Sequence, residues 1–153
     1  MSLKEILFGK EITLNDDFFG QIGSDKTRSK TAKSLSWFFK FKISNFKFET
    51  DIIAEGNYLG IDPNSKAALV DFISKFEDYY SQILDNLISI DTKKYANLID
   101  WRNKYYISVI HPSLRINSAP ANFEIFFQAY DNKNDLFMIE LSNKKLDNLE
   151  IVR

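Results

Sequence analysis

Cysteine is absent from the chain, which removes disulfides, thiolate catalysis and cysteine-based metal sites and leaves the redox compartment open. Histidine is nearly absent as well. His111 stands alone, so the usual zinc ligand set cannot be assembled, and its place before Pro112 reads as a structural or solvated strand-end pair. Glycine is sparse: Gly9, Gly20, Gly23, Gly56 and Gly60 are the whole set, and none has a phosphate-cradling spacing. No nucleophile elbow of the Gly-x-Ser-x-Gly kind occurs either. Long apolar runs are missing, so no membrane-spanning helix is expected. Residues 1–14 hold no signal-peptide pattern, and a cytoplasmic protein is the expectation. A formal net charge of −1 gives no global attraction to nucleic acid or an anionic membrane. The sequence therefore predicts no metal and no cofactor.

What is present is an ordinary globular composition, 44% hydrophobic and 27% charged, with an excess of rings: 14 Phe and 7 Tyr. At 153 residues the chain is read as one α+β domain spanning 1–153, large enough to bury a core.

The stretch 62–88 organises the rest. Asp62 followed by Pro63 is a helix start, with a capping carboxylate and a residue whose missing N–H costs nothing in the first turn. Leu69, Phe72, Ile73, Phe76, Tyr80, Ile83, Leu84 and Leu87 recur at three- and four-residue steps and share one face. Lys66, Asp71, Lys75, Asp78, Gln82 and Asp85 take the other. Such a helix is about 40 Å long. Thr92 is placed to cap a second, shorter helix carrying Tyr95, Leu98 and Ile99.

Strand patterns lie on both sides of it. Residues 6–14 suggest one or two short strands, and 16–20 a turn into a brief strand through Ile22. Residues 35–53 alternate at period two, with Trp37, Phe39, Phe41 and Ile43 against Phe38, Lys40 and Lys42. If Ser44-Asn45 is a two-residue turn, Phe41 faces Phe48, Trp37 faces Ile52 and Lys40 faces Glu49; a longer loop is the alternative. Residues 55–61 read as a loop. Residues 105–110 form a strand stopped by His111-Pro112, and 114–116 a short edge strand.

The last hairpin pairs 123–130 with 136–141 about the loop 131–135. Its register gathers Phe123, Ile125, Phe127, Phe137, Ile139 and Leu141 on one face. Phe126, Tyr130, Met138, Glu124 and Glu140 fall on the other. Leu146, Leu149 and Ile151 suggest a final strand. Strands, helix, strands is an α+β order, and an antiparallel sheet with the long helix on one face is expected.

Candidate chemistry is thin. Glu77 and Asp78 are adjacent on a helix and point apart, as solvated residues do. Glu124 and Glu140 are the best carboxylate pair for acid–base work, yet a flat sheet face offers no cleft between them. Residues 26–33 form a basic loop, with Lys26, Arg28, Lys30 and Lys33. It reads either as a phosphate- or acid-binding patch supported by Lys40 and Lys42, or as a solvated loop. No aromatics interleave with its cations, as a single-strand binding surface requires. The central helical region is acidic where 24–48 is basic, so the molecule is expected to be electrically two-sided.

Asp17-Phe18-Phe19-Gly20-Gln21-Ile22, then Trp37 opening a hairpin, an acidic loop, and Pro63 starting a long helix with Phe72 and Tyr80 form a recognisable order. With the closing hairpin 123–141 and the polar turn Asn143-Lys144-Lys145-Leu146, it resembles the small bacterial immunity-like proteins of polymorphic toxin systems. Ser44-Asn45 departs from that pattern, where a glycine would be expected. The resemblance supplies no catalytic residues. It implies a toxin-neutralising or other protein-binding role. Independently, one helix covers one side of the sheet, so the hairpin register makes Phe126, Tyr130 and Met138, rimmed by Glu124 and Glu140, the expected partner surface for a toxin or for self-association, unless the N-terminal strands or the tail fold over that face. A small carboxylate enzyme and a phosphate or nucleic-acid binder acting through 26–33 are the alternatives.

Overall fold

The structure is a computed structural model that describes residues 9–28, 33–43, 46–113, 122–142 and 145–152. It is an α+β fold: a nine-stranded sheet and one long helix. The strands are β1 (Thr13–Asp16), β2 (Gly20–Ser24), β3 (Leu35–Phe41), β4 (Thr50–Asn57), β5 (Gly60–Ile61), β6 (Tyr105–Ser113), β7 (Asn122–Ala129), β8 (Leu136–Ser142) and β9 (Lys145–Val152). They run in the order β1-β2-β3-β4-β6-β7-β8-β9, with β5 paired to β4. All neighbours are antiparallel except β4 and β6, which meet in parallel over Asp51–Val109 and Ile52–Ile110 only. A parallel join needs a crossover connection, and the helical segment supplies it.

That segment is α1 (Pro63–Lys75), a π-helical turn (Phe76–Tyr80) and α2 (Ser81–Ile90) in succession. Asp62 caps it as expected, accepting from the amides of Asn64 at 2.9 Å and Ser65 at 3.0 Å. The π turn has a cause in the sequence. Phe72, Phe76, Tyr80, Leu84 and Ile88 are all buried and sit four apart. In an unbroken α-helix each such step drifts about 40°, or about 160° over the set. One extra residue in a π turn removes about 100° of that drift, so the stripe stays pointed at the sheet.

The second helix is shorter than expected. Residues 91–95 are turn, followed by a 3₁₀ turn at Ala96–Leu98 and α3 (Trp101–Lys104). Tyr95 and Leu98 are buried, whereas Ile99 is 64% exposed.

The helix covers one face of the sheet, and aromatic rings fill the layer between. Phe72 lies 5.1 Å from Phe123 and Phe76 lies 5.6 Å from Phe46, measured between ring centroids. Trp101 meets Phe76 and Phe127 edge-on, and Phe127 stacks on Phe137 at 4.4 Å. Phe41 does not join the Phe76 layer. It is half-buried beside Phe18 and Phe19.

Two polar clamps hold the segment that leads into β6. The buried Trp101 indole donates to Asp85 Oδ1 at 2.8 Å, and Arg102 holds both Asp85 oxygens at 2.7 and 2.6 Å. At the start of β6, Tyr105 donates to Asp135 Oδ1 at 2.7 Å while Lys104 Nζ lies 2.8 Å from Oδ2. Near the helix start Lys66 bridges Asp16 and Asp17 in the β1–β2 turn.

The structure corrects several sequence expectations. The β3–β4 hairpin pairs Trp37 with Ala54, Phe39 with Ile52, Lys40 with Asp51 and Phe41 with Thr50, so the longer of the two connections is the real one; Ser44 and Asn45 themselves lie outside the described residues. Within that loop Ile43 and Phe46 are buried on the helix side, while Phe48 is 44% exposed on the other and does not face Phe41. Residues 55–61 are not a loop but the β4–β5 hairpin turning at Tyr58-Leu59. There the Gly60 carbonyl comes within 2.1 Å of where a Gly56 Cβ would stand, so position 56 admits no side chain. β6 also runs on through His111 and Pro112 to Ser113. Its pairing with β4 stops at Ile110, so beyond that point Pro112 deprives no β4 partner of an N–H. The expected edge strand at 114–116 lies outside the described residues.

Candidate functional site

The final hairpin is registered as its alternation dictates. Phe123 pairs with Leu141, Glu124 with Glu140, Phe126 with Met138 and Phe127 with Phe137. Phe123, Ile125, Phe127, Phe137, Ile139 and Leu141 are buried under the helix layer. Glu124, Phe126, Tyr130, Met138 and Glu140 are on the opposite face and half-buried. Among the described residues, the helical segments pack on the other side, so this face is left to side chains and one loop.

The described part of that loop leading into β4, residues 46–49, lies beside the start of β6, which β4 is too short to follow. Thr50 ties the join, its hydroxyl donating to the Ile107 carbonyl at 2.8 Å in full burial. Phe46 turns under the sheet against Phe76, and Phe48 turns over it. Phe48 lies 5.1 Å from Tyr106 and 5.6 Å from Tyr130, and those two tyrosines stack at 5.3 Å. The phenols are committed: Tyr106 donates to Gln128 Oε1 at 2.7 Å, and the Tyr130 hydroxyl accepts the Lys47 amide at 3.1 Å. Burial raises the Tyr106 phenol above its ordinary value, with the Asp51 charge adding to it and Lys40 opposing.

Beside this trio β6 carries a bulge, with the register breaking between Ile107 and Val109. Ser108 is the extra residue, so Ser108 and Val109 both end on the open face, and the Ser108 hydroxyl donates to the Phe126 carbonyl at 3.1 Å. The result is a groove of about 570 Å³ along the β4–β6 join. Tyr106, Phe48, Val109 and Phe126 form its walls, and Lys40, Glu49, Asp51 and Gln128 supply polar groups. Lys40 reaches Asp51 at 3.3 Å. Its lining is thus divided between apolar and polar side chains.

Of the five residues singled out from sequence, Phe126 lines this groove. Met138 is its cross-strand neighbour, Tyr130 belongs to the aromatic trio, and Glu124 and Glu140 sit further along the strands. Glu124 is also the cross-strand partner of His111, whose Nδ1 lies 3.3 Å from Oε2. His111 is thus a half-buried neighbour of a carboxylate on β7. Phe48, Tyr106, Glu49 and Asp51 were not anticipated. The alternation Tyr106-Ile107-Ser108 already marked Tyr106 as outward, but nothing local announced that β4 would lie beside it.

Among the described residues, no group of three or more histidines or carboxylates is arranged to hold a metal ion. No described helix is long and apolar enough to cross a membrane.

The basic loop is seen only in part, since Lys30 lies outside the described residues. Lys10 and Thr27 form an isolated bridge with mutual backbone hydrogen bonds of 2.9 and 3.0 Å. Lys26 reaches Glu11 only at 4.0 Å, with both side chains largely exposed, and Arg28 and Lys33 are exposed. Lys42 is not on the neighbouring strand; it lies past the end of β3 and donates to the Lys47 carbonyl. Replacing Lys26, Arg28, Lys30 and Lys33 together with alanine is expected to move the melting temperature by no more than about 2 °C. Thermal unfolding followed by circular dichroism checks this, and a drop of about 10 °C would mean that these side chains anchor the fold.

The site thus stands on its own geometry: no family model matches the chain, and neither a curated protein nor a solved structure matches it.

Proposed function

We propose that this chain is a non-enzymatic protein-binding module that uses the helix-free face of its sheet, and that its partner is a toxin it neutralises. The observation that carries the reading is the groove at the β4–β6 join, walled by Tyr106, Phe48 and Phe126 and extended by Tyr130 and Met138. Aromatic rings and methionine at the centre with carboxylates around them make the composition of a partner surface. The toxin part rests on the sequence resemblance. An acid–base role for Glu124 and Glu140 is supported less well. They sit on the open face, one of them already engaged by His111, and neither lines the groove.

The test is a growth assay. The product of the gene beside this one is expressed alone and together with this chain. Protection of the host by the wild type, lost in Tyr130→Ala at unchanged melting temperature, is the expected result. Equal growth with and without this chain would contradict the toxin reading.

A further inference from the structure

The first hairpin, β1 and β2, is attached to the sheet along a short seam. Gly23 pairs with Phe38 and Ser24 with Trp37, and the ladder ends there, whereas β3 meets β4 along its whole length from Leu35–Gly56 to Phe41–Thr50. One further backbone bond extends the seam, from the Asp25 amide to the Ser36 carbonyl at 2.9 Å. β2 itself reads Gly20-Gln21-Ile22-Gly23-Ser24, and glycine loses more chain entropy on being ordered than any other residue. A two-stranded hairpin is marginal by itself in water, so this one depends on what its side chains reach.

They reach the helix side of β3. Phe19 and Ile22 are buried, Phe19 packs on Phe39 at 4.6 Å, and Phe18 stacks on Phe41 at 5.5 Å. Asp16 holds two partners at once. Its Oδ1 accepts the Phe18 and Phe19 amides at 2.9 and 3.0 Å, which shapes the turn, and its Oδ2 takes the Lys66 ammonium at 2.9 Å. Lys66 stands in the first turn of α1 and reaches Asp17 as well. The Asp16 side chain is 11% exposed, so water and salt screen this pair less than a surface pair. We infer that the β1–β2 hairpin is a strap that opens and closes as a unit while the rest of the fold stays intact, with Lys66 on Asp16 as its latch. Opening uncovers Phe39, Phe41 and the outer edge of β3, whose N–H and C=O groups are then free to pair. That strip lies on the helix side of β3, away from the proposed binding face.

The experiment is native-state hydrogen exchange of the full chain, read residue by residue by NMR and corrected for intrinsic rates. The amides of Ile12, Phe19, Ser24 and Asp25 are each hydrogen-bonded at 2.9 or 3.0 Å. In the wild type they are expected to exchange as one group, about 100-fold or more faster than the slowest amides of β7 and β8. Lys66→Met keeps the aliphatic stem and removes the charge, and is expected to speed that group by about threefold to tenfold. Ile139→Val thins the core on β8, which β4, β6 and β7 separate from β3. It is expected to speed the slowest β7 and β8 amides by about twofold to tenfold and to leave the hairpin group unchanged, because the strap opens without disturbing Ile139. If Ile139→Val speeds the hairpin group by the same factor, the hairpin opens only with the whole molecule and there is no strap. If Lys66→Met leaves the group at wild-type rates, Lys66 is not the latch.

Discussion

Phe76→Ala is expected to destabilise the protein by about 3–5 kcal/mol, which for a chain of this length lowers the melting temperature by about 6–20 °C. Phe76 is 2% exposed and opens the π turn, with rings on several sides: Phe72 from its own helix, Phe46 from the β3–β4 loop and Trp101 from the segment leading into β6. Removing it leaves a void bordered by elements far apart in sequence, and aromatic partners cannot collapse into it without leaving their own contacts. Chemical denaturation of wild type and variant measures the loss. A value below about 1 kcal/mol would mean that the helix does not pack on this loop, and the layer assignment would be wrong.

Asp85→Ala is expected to cost about 1–3 kcal/mol, chiefly because the Trp101 indole N–H loses its acceptor in a buried position. The Arg102 pair contributes less, since both of its side chains are more than a third exposed and solvent screens them. The pH dependence follows. The Arg102 guanidinium, joined by the Trp101 N–H, holds the Asp85 carboxyl below the usual carboxylate range despite partial burial. A lowered folded pKa contributes stability that is complete above the unfolded value and is lost as pH falls through the folded one. The gap between wild type and Asp85→Ala should therefore be full at pH 7 and narrow below about pH 4. Asp135, lowered chiefly by Lys104, behaves alike. Burial pushes Asp16 up, but Lys66 and the Phe19 and Phe18 amides outweigh it. Urea midpoints of wild type and variant from pH 3 to 7 test the sign. A gap that widens on acidification would contradict the clamp.

The sequence made some of this legible and hid the rest for physical reasons. The closing hairpin could be read because residues 123 to 129 alternate except at Phe126 and the turn material lies at 131–135, so one register satisfies both faces. The helix could be read from its cap and its stripe; its π turn was implicit in four consecutive four-residue steps. The β3–β4 register was misread because Phe46 and Phe48 continue the period of two past the point where the strand ends. In the fold those two rings pass on opposite sides of the sheet, an arrangement that local periodicity cannot express. The groove was missed for the same reason. It depends on a parallel join between strands about fifty residues apart in sequence and on a bulge at Ser108 that leaves no mark in the pattern Tyr105-Tyr106-Ile107-Ser108-Val109-Ile110.

The proposed function requires that the helix-free face bind the partner while the helix face serves as core. Calorimetric titration of the neighbouring gene's product with wild type, Phe126→Ala, Tyr130→Ala and Tyr79→Ala tests it most directly. Tyr79 is 45% exposed on the helical segment and serves as the control ring from the opposite side. Phe126→Ala and Tyr130→Ala are expected to weaken association by about tenfold or more, as central aromatic anchors do, while Tyr79→Ala leaves it unchanged. Loss of affinity in Tyr79→Ala with the two sheet variants binding normally, or no binding by the wild type at all, would contradict it.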